Sequence, residues 1–218
     1  MSIVMETLVA KVDRLDKDGL DIEFTVNHQY NAYGISGRKL LSKFKGAMQE
    51  ALSRKYQMQT DMTRVLTHIF DGYLRNTERE MTLIVLTDGN WAGTSDETSV
   101  ERSIAEFLRK PALALKLEKR WFTIQFVALG PGIPDILARL DDNIGKEYSI
   151  PDIVDTEHVS GSVNKMILGS FVDRYDAVEA SPGPSTPRNG RQRHHETGLY
   201  EAFEGVLGFQ EYRHQMIW

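Results

Sequence analysis

Residues 81–91 read Met-Thr-Leu-Ile-Val-Leu-Thr-Asp-Gly-Asn-Trp, an apolar run that ends on Asp88 and Gly89. Leu83, Ile84, Val85 and Leu86 follow one another without a polar break, so both faces of a strand made from them must be covered. That is the pattern of a central parallel strand in an α/β sheet, not of a half-exposed antiparallel one. Open α/β folds place their ligands at the carboxyl ends of such strands, where Asp88 falls. Asp and Gly are also ordinary turn residues, and Thr87-Asp88-Gly89 reads as well as a plain turn.

The segments around this strand alternate in period. Met5, Leu8, Val12 and Leu15 lie at helical spacing, and Asp16-Lys17-Asp18-Gly19 ends that helix. Leu20, Ile22, Phe24 and Val26 alternate as in a strand, and residues 30–37 read as a loop. Leu40, Leu41, Phe44, Met48 and Leu52 mark a second helix, with Ser36 as its cap. Thr60 or Asp61 can cap a third, whose apolar face runs from Met62 to Leu74. A polar loop at 90–98 precedes a helix from about Val100 to Arg109, interrupted by Pro111. Trp121 to Leu129 is a strong strand, Ile136 to Leu140 a short helix, Tyr148 to Val154 a short strand and Val163 to Phe171 a last helix. Such alternation predicts an α/β fold of three layers, α-β-α, with a mostly parallel, doubly wound sheet.

Composition narrows the function. The 218 residues carry a net charge of −5 and no basic stripe with interleaved aromatics, so nucleic acid is not an expected partner. Cys is absent, which removes disulfides, thiolate metal sites and cysteine nucleophiles. No apolar run approaches the ~18 residues of a membrane span, and the start lacks the features of a secretory signal. An intracellular, cytoplasmic protein without a membrane partner is the expectation. Residues 173–198 turn to Ser, Pro, Gly, Asn, Arg and His, a composition too poor in apolar residues to fold. Leu199, Phe203, Val206, Leu207 and Phe209 then suggest a short amphipathic segment at 199–218, either a docking helix or a weakly ordered end.

Five stretches in order resemble a von Willebrand factor A-type domain of the intracellular branch. They are residues 16–24 (Asp-Lys-Asp-Gly-Leu-Asp-Ile-Glu-Phe), 60–66, 83–89 and 124–130, and then Leu140-Asp141-Asp142 with Asp152-Ile153-Val154-Asp155. The resemblance spans about residues 1–172 and implies a non-enzymatic protein-interaction module. It also implies a metal-ion-dependent adhesion site at the strand ends, with Mg²⁺ or Mn²⁺ held by Asp88 and by Thr60, or failing that Thr63. Trp91 and Asn90, next to Asp88, would then face a protein partner, unless Trp91 packs its own loop.

The family's first ligand loop, Asp-x-Ser-x-Ser, has no counterpart, because the chain starts inside the helix that should follow it. Mg²⁺ demands near-octahedral oxygen ligation, and one carboxylate with one hydroxyl would hold it weakly. The strand before that loop is missing as well; in the family it lies mid-sheet, between the strands at 20–27 and 81–87. Four buried aliphatic side chains at ~1.5–3 kcal/mol each make such a strand worth on the order of 6–12 kcal/mol. That rivals the ~5–15 kcal/mol stability of a whole domain. Either its neighbours close the gap by pairing, or the chain is a fragment or an incomplete gene model, which is the expectation carried forward.

Other motifs have plainer readings. Asp16, Asp18 and Asp21 lack the remaining ligands of a calcium loop and end a helix rather than a strand, so they read as a solvated turn. Gly34-Ile35-Ser36-Gly37 and Gly130-Pro131-Gly132 lack the Lys-Ser/Thr of a phosphate loop and read as turns. Ser36, Ser160 and Ser162 lack the context of a hydrolase nucleophile. His194-His195 reads as a solvated stretch, and His28 and His68 as isolated residues. An interaction module is the leading expectation. The alternatives are a doubly wound hydrolase or phosphate-handling enzyme using Asp88, and a structural remnant with no site.

Overall fold

The computed structural model describes residues 2–25, 28–53, 59–96, 98–114, 116, 121–168 and 212–217. Helix α1 (Ser2–Leu15) buries Met5, Leu8, Val9 and Val12, and a tight turn returns the chain as strand β1 (Leu20–Glu23). Gly19 makes that reversal possible. Its φ of +92° suits a residue without a side chain, and a Cβ there would lie 2.7 Å from the Gly34 carbonyl carbon. The Asp cluster is less solvated than its sequence predicts. Asp16 is buried and accepts a hydrogen bond from the Asp18 amide, Arg79 approaches Asp18 at 2.8 Å, and Asp21 accepts from the Gly34 amide.

Asp21 thereby helps pin a strand that its sequence conceals. Residues 30–37, expected as a loop, contain β2 (Ala32–Ile35), an exposed edge strand antiparallel to β1. Helix α2 (Gly37–Ser53) follows, then α3 (Met62–Leu74), capped by Asp61 through the Arg64 amide. Strand β3 (Glu80–Thr87) is buried along its whole length, as its unbroken apolar run requires. The chain continues through α4 (Ser99–Leu108), β4 (Phe122–Ala128), α5 (Asp135–Asp142), α6 (Ile144–Tyr148), β5 (Val154–His158) and α7 (Val163–Leu168).

The short strand expected over Tyr148–Val154 is therefore displaced. Tyr148 closes a helix, Ser149 takes a left-handed conformation that stops it, and the strand begins at Val154. The part of the last helix expected beyond Leu168, the segment 173–198 and His194-His195 lie outside the described residues.

The sheet order is β2-β1-β6-β3-β4-β5, parallel except for β2. The place between β1 and β3, expected to be empty or closed by direct pairing, is taken by β6 (Tyr212–Ile217). This strand comes from the segment expected to be a docking helix or a loose end. It pairs in parallel with both neighbours, Met216 opposite Ile22 on one side and Ile84 on the other.

Helices cover both faces. Against one, α1, α2 and α7 pack Leu8, Val12, Leu40, Phe44 and Met166 onto Ile22, Ile84, Leu86, Val127 and Met216. Against the other, α3, α4 and α5 pack onto Leu83, Val85, Phe122, Ile124 and Ile217. An aromatic stack centres this second layer, with Phe70 and Phe107 4.1 Å apart and nearly parallel and Phe122 edge-on to both. None of the helices in the described residues is long and apolar enough to cross a membrane.

Candidate functional site at the strand ends

Asp88 leaves the carboxyl end of β3 exposed to solvent. Its Oδ1 accepts a hydrogen bond from the Asn90 amide at 2.9 Å, closing a turn in which Gly89 has a φ of +76°. The next residue goes inward. Trp91 is 7% exposed, its ring 5.9 Å from that of Phe126, and its Nε1–H donates to Thr87 Oγ1 at 2.9 Å. The same hydroxyl accepts from the Gly89 amide at 3.0 Å. Of the two roles open to Trp91 it takes the packing one, which leaves Asp88 and Asn90 as the exposed pair.

The loop is anchored a second time. The Gly93 amide donates to the Thr60 carbonyl, and Thr94 Oγ1 accepts from the Met62 amide. Gly93 lies so close to this segment that a Cβ would stand 2.9 Å from the Gln59 carbonyl oxygen. The strand end that carries Asp88 is thus locked to the segment leading into α3, where Thr60 precedes the Asp61 cap. Gly93 and Thr94 build this contact, and sequence reading missed both; only the Gly in a polar loop hinted at a close backbone approach.

A divalent cation does not fit this donor set. Thr63 Oγ1 is 2.9 Å from Ser99 Oγ and stitches α3 to α4. Thr60 contributes its carbonyl to Gly93, and Asp88 its Oδ1 to Asn90. Among the described residues no three His, Asp, Glu or Cys side chains cluster as metal ligands. One exposed carboxylate and one hydroxyl fall short of the oxygen shell that Mg²⁺ or Mn²⁺ requires.

Three further polar features surround the sheet. At the end of β5, His158 Nε2 lies 2.9 Å from the Gly130 carbonyl and Nδ1 2.6 Å from Ser160 Oγ, which ties the loops after β4 and β5 together. Between α3 and the edge formed by β1 and β2 is a cavity of about 230 Å³ lined by Glu23, Tyr33, His68, Gly72, Tyr73 and Arg75. There the Tyr33 hydroxyl donates to Glu23, and burial together with that carboxylate raises the Tyr33 pKa. Beneath β5, Asp141 accepts from the Thr156 amide at 3.1 Å. Burial, and then the carboxylates of Asp155 and Asp142, push its pKa up to about 7.

Open α/β sheets place their ligands at the carboxyl ends of parallel strands, the end of β3 from which Asp88 leaves. There the chain leaving β3 runs on to α4, whereas the chain leaving β1 turns back along the edge as β2. Compared with known proteins, the chain matches no family model and no curated sequence.

Proposed function

We propose that this protein is a non-enzymatic interaction module that binds a protein partner through the exposed turn at Asp88 and Asn90, as its resemblance to von Willebrand factor A-type domains implies. One observation carries the reading. The turn is held by Thr87, Trp91 and the Gly93–Thr60 contact, yet Asp88 and Asn90 themselves face solvent at the carboxyl end of β3. A preorganised turn loses little conformational freedom on binding, which favours recognition. Because the donor set does not fit a cation, the Asp88 carboxylate meets a cationic or hydrogen-bond-donating group of the partner directly.

Hydrolytic chemistry has less support. It requires a base in contact with a nucleophile and a place for the reacting atom. Asp88 instead serves its own turn, and the Ser160–His158 contact joins residues two apart on a single bend.

Site-specific photo-crosslinking tests the proposal. A photoreactive residue at Asn90 of the full chain, in lysate of the source cells, is expected to give discrete adducts. The same residue at Glu78, exposed beyond the opposite end of β3, is expected to give none. Asp88→Ala should abolish the adducts, and Mg²⁺ or a chelator should leave them unchanged. Adducts that survive Asp88→Ala, or that need Mg²⁺, would sink the reading.

A further inference from the structure

Among the described residues, strand β6 is the only ladder joining the two parts of the sheet. Without it, the β1–β2 pair and the β3–β4–β5 set share no backbone hydrogen-bonding neighbour. Its Met216 and Ile217 are almost wholly buried, one in each core layer. It is also remote along the chain, since residues 169–211 separate it from α7.

The geometry of that separation is informative. From β5 to β6 the chain must cross three strand spacings, ~15 Å at ~4.8 Å each. A parallel crossover of this kind needs only about a dozen residues. The 43 residues 169–211 exceed that need severalfold, and at ~3.4 Å per residue their contour reaches ~150 Å. That length spans the slot of a neighbouring molecule as readily as the slot of the same one. Both ladders flanking β6 are parallel and made by backbone groups, so a strand arriving from another copy would form identical bonds. We infer that β6 is an exchangeable strand: a second copy of this chain can supply residues 212–217 to the slot between β1 and β3, giving dimers with reciprocally exchanged strands. Closure within one chain dominates when the protein is dilute, because the tether holds its own strand at a high effective concentration. Exchange grows when chains fold together at high concentration.

Two full-length variants test this by mixing. One carries Met216→Asp with Ile217→Asp, a spoiled strand with an intact slot. The other carries Leu83→Asp with Ile84→Asp, a spoiled slot with an intact strand. Each alone should lack a cooperative thermal transition. Refolded together at high concentration, they should regain up to half the wild-type unfolding amplitude, from the one repaired domain per pair. Wild-type chains refolded the same way should elute partly as a dimer that persists on dilution. A mixture that melts as the sum of its components overturns the inference, as does a strand variant that melts cooperatively by itself. A wild-type dimer without recovery in the mixture overturns it too, because association then uses another surface.

Discussion

Strands β3, β4 and β5 and strands β6, β1 and β2 are halves of one sheet assembled in opposite ways. In the first half each strand follows its neighbour in the chain, with a helical crossover between, and the aromatic stack of Phe70, Phe107 and Phe122 closes over it. In the second half the strand that completes the ladder comes from the far end of the sequence. Local connections cost little loop entropy, while long closures are made only when many contacts reward them. The difference implies that the β3–β5 half orders first and that β6 then joins β1 and β2 to it.

The most disruptive way to break this comparison is Met216→Asp. Met216 is fully buried in the layer that α1, α2 and α7 cover, and an unpaired charge there should cost on the order of 5 kcal/mol. Native-state hydrogen exchange of the variant should show protection lost in β1 and partly kept in β4. Equal loss in both strands would mean that the halves form one cooperative unit and that the asymmetry has no energetic meaning.

The same contrast explains what the sequence disclosed. Local signals sufficed for β3, β4 and the helices other than α6, because an unbroken apolar run or a 3.6-residue period marks a buried element directly. Asp61 was readable as a cap for the same reason, being set by its immediate neighbours. Strand β2 was not, since Ala32, Tyr33, Gly34 and Ile35 form an exposed edge pinned by the distant Asp21. Strand β5 was read out of frame because Asp155, Thr156 and Glu157 are polar in an edge strand. Most hidden of all was β6. Tyr-Arg-His-Gln-Met-Ile has only two aliphatic residues and none of the composition expected of a sheet centre. Of the candidate site, Asp88 was legible from its place at a strand end, whereas the Gly93–Thr60 contact depends on a fold that brings two loops together.

A smaller effect sharpens the comparison at the strand ends. Thr87→Val keeps the shape of a buried residue but strips the acceptor used by Trp91 Nε1–H and the Gly89 amide. A buried indole donor left unpaired costs ~1–3 kcal/mol. The denaturant midpoint should fall with an unchanged slope, since the surface exposed on unfolding is the same. Crosslinking from residue 90 should weaken along with it, because the turn loses its anchor. A variant with lower stability but undiminished crosslinking would show that the partner does not depend on the rigidity of the turn.

The smallest effect concerns the outer edge of the β3–β5 half. Asp141 titrates near 7 in the folded chain, pushed up by burial and by Asp155 and Asp142, against an ordinary carboxyl value in the unfolded chain. For an acid raised on folding, the native state holds its proton to higher pH than the unfolded state does. Its contribution to stability is therefore complete below about pH 4 and is lost as pH rises through 7. Asp141→Asn removes the ionisation yet can still accept the Thr156 amide through its carbonyl oxygen. The carboxyl is partly exposed, so solvent screens much of the shift, and ~1 kcal/mol is a fair discounted effect. The variant should melt about 2–4 °C above wild type at pH 8 and within a degree of it at pH 4.5. The gain should lie in the protection of β5 and leave β1 untouched, since the edge strand is separated from β1 by β4, β3 and β6. A Tm difference that did not change with pH would mean that the neighbouring carboxylates do not set the titration of Asp141.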